Sequence, residues 1–397
     1  MLPILFRSTD QGAPTLNNAV GSVISVLDAC LVTGFNNIGI SEIVVLGGVA
    51  TVTTTTAHGL TASQSATIAG ATAPALNNSF IVASAPTATT FTVPVVTANT
   101  TETPASASVK RTPLGWLKEF SGTNKAIYKM SSAQSYGQRL RVDDSVTGAQ
   151  GARVFGVEFP TGIDTYVDKF PTETQFTGGG YWGKGANNTT SKFWAIIGDD
   201  RFFYYVVESS SYSPASYILN SFAHTCGAFG DINSIKNGES YGAFLSASYG
   251  AMTSVIATPF LTHQSLGTGP LANQVNNLAR NNTGLVKSVN SGFCHPCGGI
   301  SGSAANPSYP NPVDNGVLFL EPVLVTETSA SFKHPVRGTM PGLMNMTCSH
   351  ADLPNVLYGE IYNSTDGNNL KAIVFKNTVT SQYADTLLCI KLSPSWR

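Results

Sequence analysis

The stretch Phe193-Trp-Ala-Ile-Ile-Gly-Asp-Asp-Arg-Phe-Phe-Tyr-Tyr-Val-Val207 decides how this chain is read. Two runs of aromatic and β-branched residues flank Gly198-Asp-Asp-Arg201, and Gly and Asp are turn formers, so the stretch predicts a β-hairpin. A strand with one wet face alternates polar and apolar side chains. The unbroken apolar run 202–207 instead predicts a strand buried on both faces.

Working outward, residues 357–362 and 370–375 flank Asn363-Ser-Thr-Asp-Gly-Asn-Asn369 and predict a second hairpin. Further strands are expected at 126–129, 139–142, 153–159, 317–325 and 386–392. Long stretches rich in Gly, Asn, Pro and Ser separate them, notably 265–315. Loops of that length on a β scaffold usually serve as binding surfaces or subunit contacts.

The charge pattern divides the chain in three. Of 397 residues only 11% are charged, with net charge −1. Residues 1–42 hold Arg7, Asp10, Asp28 and Glu42, and residues 43–101 hold no charge at all. The parts are an N-terminal helical docking segment at 1–42, a small uncharged β module at 43–109 and a large β domain at 110–397.

In the first part Val20, Val23, Ile24, Leu27 and Leu31 fall on one stripe of an α-helix. Asn17 or Asn18 is the expected cap and Gly34 the expected stop. So short a helix must bury its stripe on the rest of the chain or on a neighbouring subunit. In the second part 45–54, 65–69, 80–83 and 90–96 are strand-like, which predicts a small sandwich or barrel with a Thr-covered surface. Few charges guard its strand edges, so a partner is expected to cover them. The fold class is mainly β: an N-terminal helix, a small all-β module and a larger antiparallel β domain with long loops.

Composition also excludes classes of function. A net charge of −1 supplies no cationic field for nucleic acid. An apolar content of 42% with near-zero net charge is the opposite of a disordered chain. No stretch approaches the ~20 apolar residues of a membrane span. The opening Met1-Leu-Pro-Ile-Leu-Phe-Arg7 lacks the basic leader and apolar core of a signal peptide, so synthesis in a cytosol is expected, with reduced thiols. A near-neutral surface favours self-association.

Several residue groups could carry chemistry. Cys294-His-Pro-Cys297 with Cys348-Ser-His350 supplies a Cys₃His donor set for zinc. The pairs lie about 50 residues apart, a spacing of no common zinc family, which leaves free thiols or a Cys294–Cys297 disulfide as the plainer readings. Tyr181 and Trp182 in the Gly178–Gly185 loop read as a packing anchor or as a contact to a sugar or partner. That loop is no P-loop, because Gly185 follows Lys184 where Ser or Thr is needed. Asp143, Asp144, Asp164, Asp168, Glu173, Asp199 and Asp200 are the carboxylates from which a glycosidase pair or a calcium site would be drawn. Asp199-Asp200 falls at a predicted hairpin tip, where Asp is a turn former. His58 is expected to make a structural hydrogen bond. No cofactor is called for.

One resemblance adds to this. The order Gly48-Val-Ala-Thr-Val-Thr-Thr54, Ala57-His-Gly-Leu60, Ala66-Thr-Ile-Ala-Gly-Ala71, Leu76-Asn-Asn-Ser-Phe-Ile-Val82 and Thr90-Phe-Thr-Val93 resembles a small β module of tailed-bacteriophage structural proteins. Asn78 stands where that pattern usually has Gly, and Ala66 where it has Val. The flanks Arg7-Ser-Thr-Asp-Gln-Gly-Ala-Pro14, Gly115-Trp116, Phe120-Ser-Gly-Thr-Asn-Lys-Ala-Ile-Tyr128 and Phe229-Gly-Asp231 are similar to the same group. The resemblance implies a structural, non-enzymatic component of the virion, in the tail, baseplate or collar, made in the bacterial cytoplasm. It implies other virion proteins as partners and a homo-oligomer, a trimer first and a six- or twelve-fold ring otherwise. A receptor-binding tip or capsid-surface spike contacting host glycan is the first alternative, supported if Tyr181 and Trp182 line an open groove. An envelope-glycan hydrolase is the second, requiring convergent carboxylates or a filled metal site.

Overall fold

A computed structural model describes residues 2–184, 189–208, 224–248, 274–294, 312–313, 315–316, 319–320, 322–327, 335–346, 359–363, 370–377 and 386–397. The chain is mainly β, built from antiparallel sheets with a single short α-helix among the described residues.

The expected hairpin is present. Trp194–Gly198 pairs with Phe202–Glu208, and every residue of both strands is buried. Successive side chains leave a strand on opposite faces. Trp194, Ile196, Phe203, Tyr205 and Val207 therefore enter one core, while Ala195, Ile197, Phe202, Tyr204 and Val206 enter a second. The hairpin is the wall between two hydrophobic cores, which is why its sequence has no polar alternation. Its turn is held by Asp199, whose Oδ1 accepts the Arg201 and Phe202 amides, both at 2.8 Å.

The first core is roofed by the N-terminal segment. The α-helix is Ser22–Leu27, continued by a π-helical turn Asp28–Thr33, and Gly34 at φ 72 ends it as expected. Val23, Ile24, Leu27 and Leu31 all enter this core, so the stripe is buried on the chain itself. Two details of the reading change. Val20 precedes the helix and stays 39% exposed. The cap is neither Asn17 nor Asn18: Gly21 precedes the helix, and the Val23 amide donates to Asp144 Oδ2 at 2.9 Å. The long-range carboxylate does what a local Asn side chain would have done.

The second core is closed by the C-terminal strands. Lys371–Asn377 pairs with Thr386–Ser393 and with Ile361–Asn363, the second predicted hairpin. Ile373, Ile390 and Trp396 complete that core. The single strand expected over 317–325 is instead Phe319–Leu320 and Leu324–Glu327, separated at Pro322, which cannot donate to a ladder.

A separate seven-stranded arrangement spans Ile38 to Arg111 with its own core, including Ile43, Val52, Ile68, Phe91 and Val109. Ile38–Leu46 belongs to both of its halves: Ile38 and Gly39 pair with Ser108–Arg111, and Ile43–Val45 pair with Thr100–Glu102. An irregularity between Ile40 and Glu42 lets one strand turn from one sheet into the other, as bulges do in sandwiches. Residues 45–54, read as one strand-like segment, form the end of one strand, a turn and the next strand. Gly47 and Gly48, at φ 59 and 80, make the turn between Leu46 and Val49.

Candidate functional site

The residues singled out for chemistry fall into three groups. Tyr181 and Trp182 lie on the strand Gly180–Gly183, and both are buried, at 6% and 1% exposure. Trp182 stacks on Tyr205 at 5.1 Å, and its Nε1 donates to the Ser246 carbonyl at 2.9 Å. Gly227 makes room for it, since a Cβ there would stand 2.3 Å from Trp182 Nε1. Arg153 covers Tyr181, its guanidinium carbon 4.6 Å from the ring centroid. These aromatics are packing anchors, and an open groove lined by them, the support named for glycan contact, does not form.

Asp143, Asp144 and Asp164 are spent on structure. Asp143 faces Lys125 at 3.5 Å and Arg141 at 3.3 Å, and Asp164 meets the same two cations. Burial works against ionisation at Asp143, but Ser145, Lys125 and Arg141 outweigh it and hold the carboxyl below its ordinary value. The hydrogen bond from Arg141 does the same for Asp164. A glycosidase acid needs the opposite, a carboxyl kept protonated near neutrality. Asp144 is separate from both: with Lys184 it forms a buried ion pair, the two side chains at 1% and 0% exposure. Lys184 thus serves a carboxylate inside the fold.

The Asp231 carboxyl is pushed up to about 6 because burial outweighs Arg201, the Tyr136 amide and Arg397. Its side chain is fully buried, 3.1 Å from Arg201. Arg397 joins Asp199 Oδ2 and the Asp231 carbonyl, tying the C-terminal residue to the hairpin turn.

Cys297, Cys348 and His350 lie outside the described residues, and of Cys294 only the backbone, at the end of Lys287–Cys294, is described. Cys30 and Cys226 are buried free thiols, and Cys389 is buried as well. Among the described residues no group of three or more His, Cys, Asp and Glu is placed to hold a metal ion. His58 accepts the Leu60 amide on Nδ1 at 2.9 Å and is 1% exposed, the structural role expected of it.

Two surface features were not legible in the sequence. The first is an apolar tip. Leu46 and Val49 pair across the Gly47-Gly48 turn, Val95 donates to the Gly48 carbonyl, and Val96 follows. Their exposures are 71%, 42% and 99%, so a folded, uncharged β turn presents three aliphatic side chains to solvent. The second is a cavity of about 430 Å³ where the strand Ile4–Arg7, the module and the C-terminal sheet meet. Its walls include Arg7, Arg111 and Lys371, contributed from positions more than 100 and 250 residues apart in sequence.

No protein-family model matches this chain, and no curated protein matches it. No helix among the described residues is long and apolar enough to cross a membrane.

Proposed function

We propose that this chain is a structural component of a tailed-phage virion, placed in the tail, baseplate or collar, and that it works by assembly and contact without turnover. It is made in the bacterial host cytoplasm and resides in the particle. The observation that carries the reading is the apolar tip of the module, Leu46, Val49 and Val96, inside a stretch that holds no charge. Exposed aliphatic side chains gathered on one rigid turn mark an interaction surface. With no charge to select a charged partner, the surface is suited to a copy of itself, and symmetric copies bury such patches mutually. The order of residues 48–93 supports the same reading through its resemblance to phage structural modules. Two observations favour it over the alternatives: Tyr181 and Trp182, the aromatics named for glycan contact, are core residues, and Asp143 and Asp164, named for hydrolysis, are committed to Arg141 and Lys125.

The test is sedimentation of the purified chain and of a variant carrying Leu46→Ser, Val49→Ser and Val96→Ser, together with antibody detection in purified particles of the encoding phage. The expected result is a homo-oligomer that dissociates in the variant and a positive signal in the particles. A chain that is monomeric at all concentrations, or absent from particles, overturns the proposal.

A further inference from the structure

The cavity between the N-terminal strand, the module and the C-terminal sheet has a lining of unusual charge. Arg7, Arg111 and Lys371 stand in its wall, and no carboxylate does among the described lining residues. Asp10 lies behind the wall, 3.5 Å from Arg111 and 4.0 Å from Arg7, and offsets one of the three charges.

The two guanidiniums are not fully satisfied by the protein. Arg111 is 2% exposed and donates to the Ser65 and Leu5 carbonyls at 3.1 and 2.7 Å, yet its Nε has no hydrogen-bond partner. Arg7 Nε is buried too, and it meets Asp10 Oδ1 only at 4.0 Å, an ion pair longer than a hydrogen bond. Asp10 offsets only one of the three cations, so the wall keeps a net positive charge beside apolar surface, and that points to an anion supplied from outside the chain.

The rest of the wall is apolar. Leu2, Ile81 and Ile361, three of the large hydrophobic residues that remain exposed at 46%, 43% and 41%, come from three distant parts of the chain and converge on this one cavity. Phe80 and Leu392 extend the surface. Three of the lining hydroxyls are engaged within the chain: Ser79 and Thr112 each bond Thr67, at 2.8 and 2.9 Å, and Ser63 accepts from Lys371 at 3.1 Å. A volume of about 430 Å³ suits a small organic molecule.

We propose that this cavity binds a small organic anion with an apolar body, its carboxylate held against Arg7, Arg111 and Lys371 and its hydrocarbon part against Ile81, Ile361 and Leu392. The site joins three segments of the chain, so its occupant also braces the module against the large domain. The proposal does not depend on the apolar tip or on a virion location.

Isothermal titration of the full chain with octanoate, octanol and inorganic phosphate tests it. Octanoate is expected to bind saturably at one site, octanol about tenfold or more weaker, and phosphate weaker still, since a charge-assisted hydrogen bond to a guanidinium is worth about one to two decades of affinity. Lys371→Gln, at a half-exposed position, and Arg7→Gln should each weaken octanoate by about tenfold while leaving octanol unchanged, with thermal unfolding of each variant confirming the fold. Octanol binding as tightly as octanoate, octanoate affinity unchanged in both variants, or the absence of saturable octanoate binding would each overturn the proposal.

Discussion

The small β module and the large β domain solve the same problem, a stable antiparallel sheet, with opposite materials. The module's core is almost wholly aliphatic, from Ile40 to Val109, with Phe91 at its centre and His58 edge-on to that ring at 5.3 Å. Glu102, its lone charge within 43–109, accepts the Thr72 amide instead of pairing with a cation. The large domain buries ion pairs: Asp144 with Lys184, Asp231 with Arg201, and Arg337 between Glu239 and Glu327 at 3.1 and 2.5 Å. A core stabilised by burial tolerates changes of pH and salt. A core with charges inside is specific in geometry, and it fails abruptly when one partner is removed.

The sharpest way to break this contrast is Asp144→Ala. It removes the helix cap and leaves Lys184 buried without its counter-ion, and we expect a loss of about 3–5 kcal/mol in urea unfolding. A loss below about 1 kcal/mol would mean that Lys184 finds water or a new partner, and the contrast between the regions would fail.

Next in size is the pH response of Asp231. Its carboxyl ionises near 6 in the folded chain and near 3.8 as an ordinary Asp, so the folded state favours the proton. The resulting stabilisation is complete below about pH 4 and is lost as pH rises through about 6, on the order of 3 kcal/mol in all. Unfolding free energies of the wild type and Asp231→Asn, compared from pH 4 to 7, should diverge by that amount in that direction. Parallel curves would refute the shift.

In the module the expected effects are smaller. His58→Ala removes the acceptor for the Leu60 amide and the edge contact to Phe91, and should cost about 1–2 kcal/mol, with little dependence on salt. A strong salt dependence would show that the module relies on charges of its neighbours. Smallest of all, Leu46→Ser in the dilute chain should change stability by less than about 0.5 kcal/mol, because the side chain is already 71% exposed. Its effect should appear in association alone.

Much of this architecture could be read directly. The run Phe202–Glu208, the hairpin beside it, the strands of the module and the stop at Gly34 all follow from short-range rules. What failed was of two kinds. The Gly47-Gly48 turn carried its own signal, two adjacent glycines between alternating runs, but the valines and threonines on either side masked it. The helix start carried a misleading signal in Asn17 and Asn18, since its capping carboxylate comes from Asp144, 121 residues from Val23.

The same division holds for the sites. Periodicity, turn chemistry and the distribution of charge determined by themselves that the chain would fold as antiparallel β structure, with a neutral module and a hairpin buried on both faces, because those signals act over a few residues. Whether Tyr181 and Trp182 face solvent or a core, whether Asp143 meets a substrate or Arg141, and that Arg7, Arg111 and Lys371 share one cavity were decided by the tertiary structure alone. Burial and charge pairing are properties of neighbours in space, and the neighbours that matter here lie up to hundreds of residues apart in the chain.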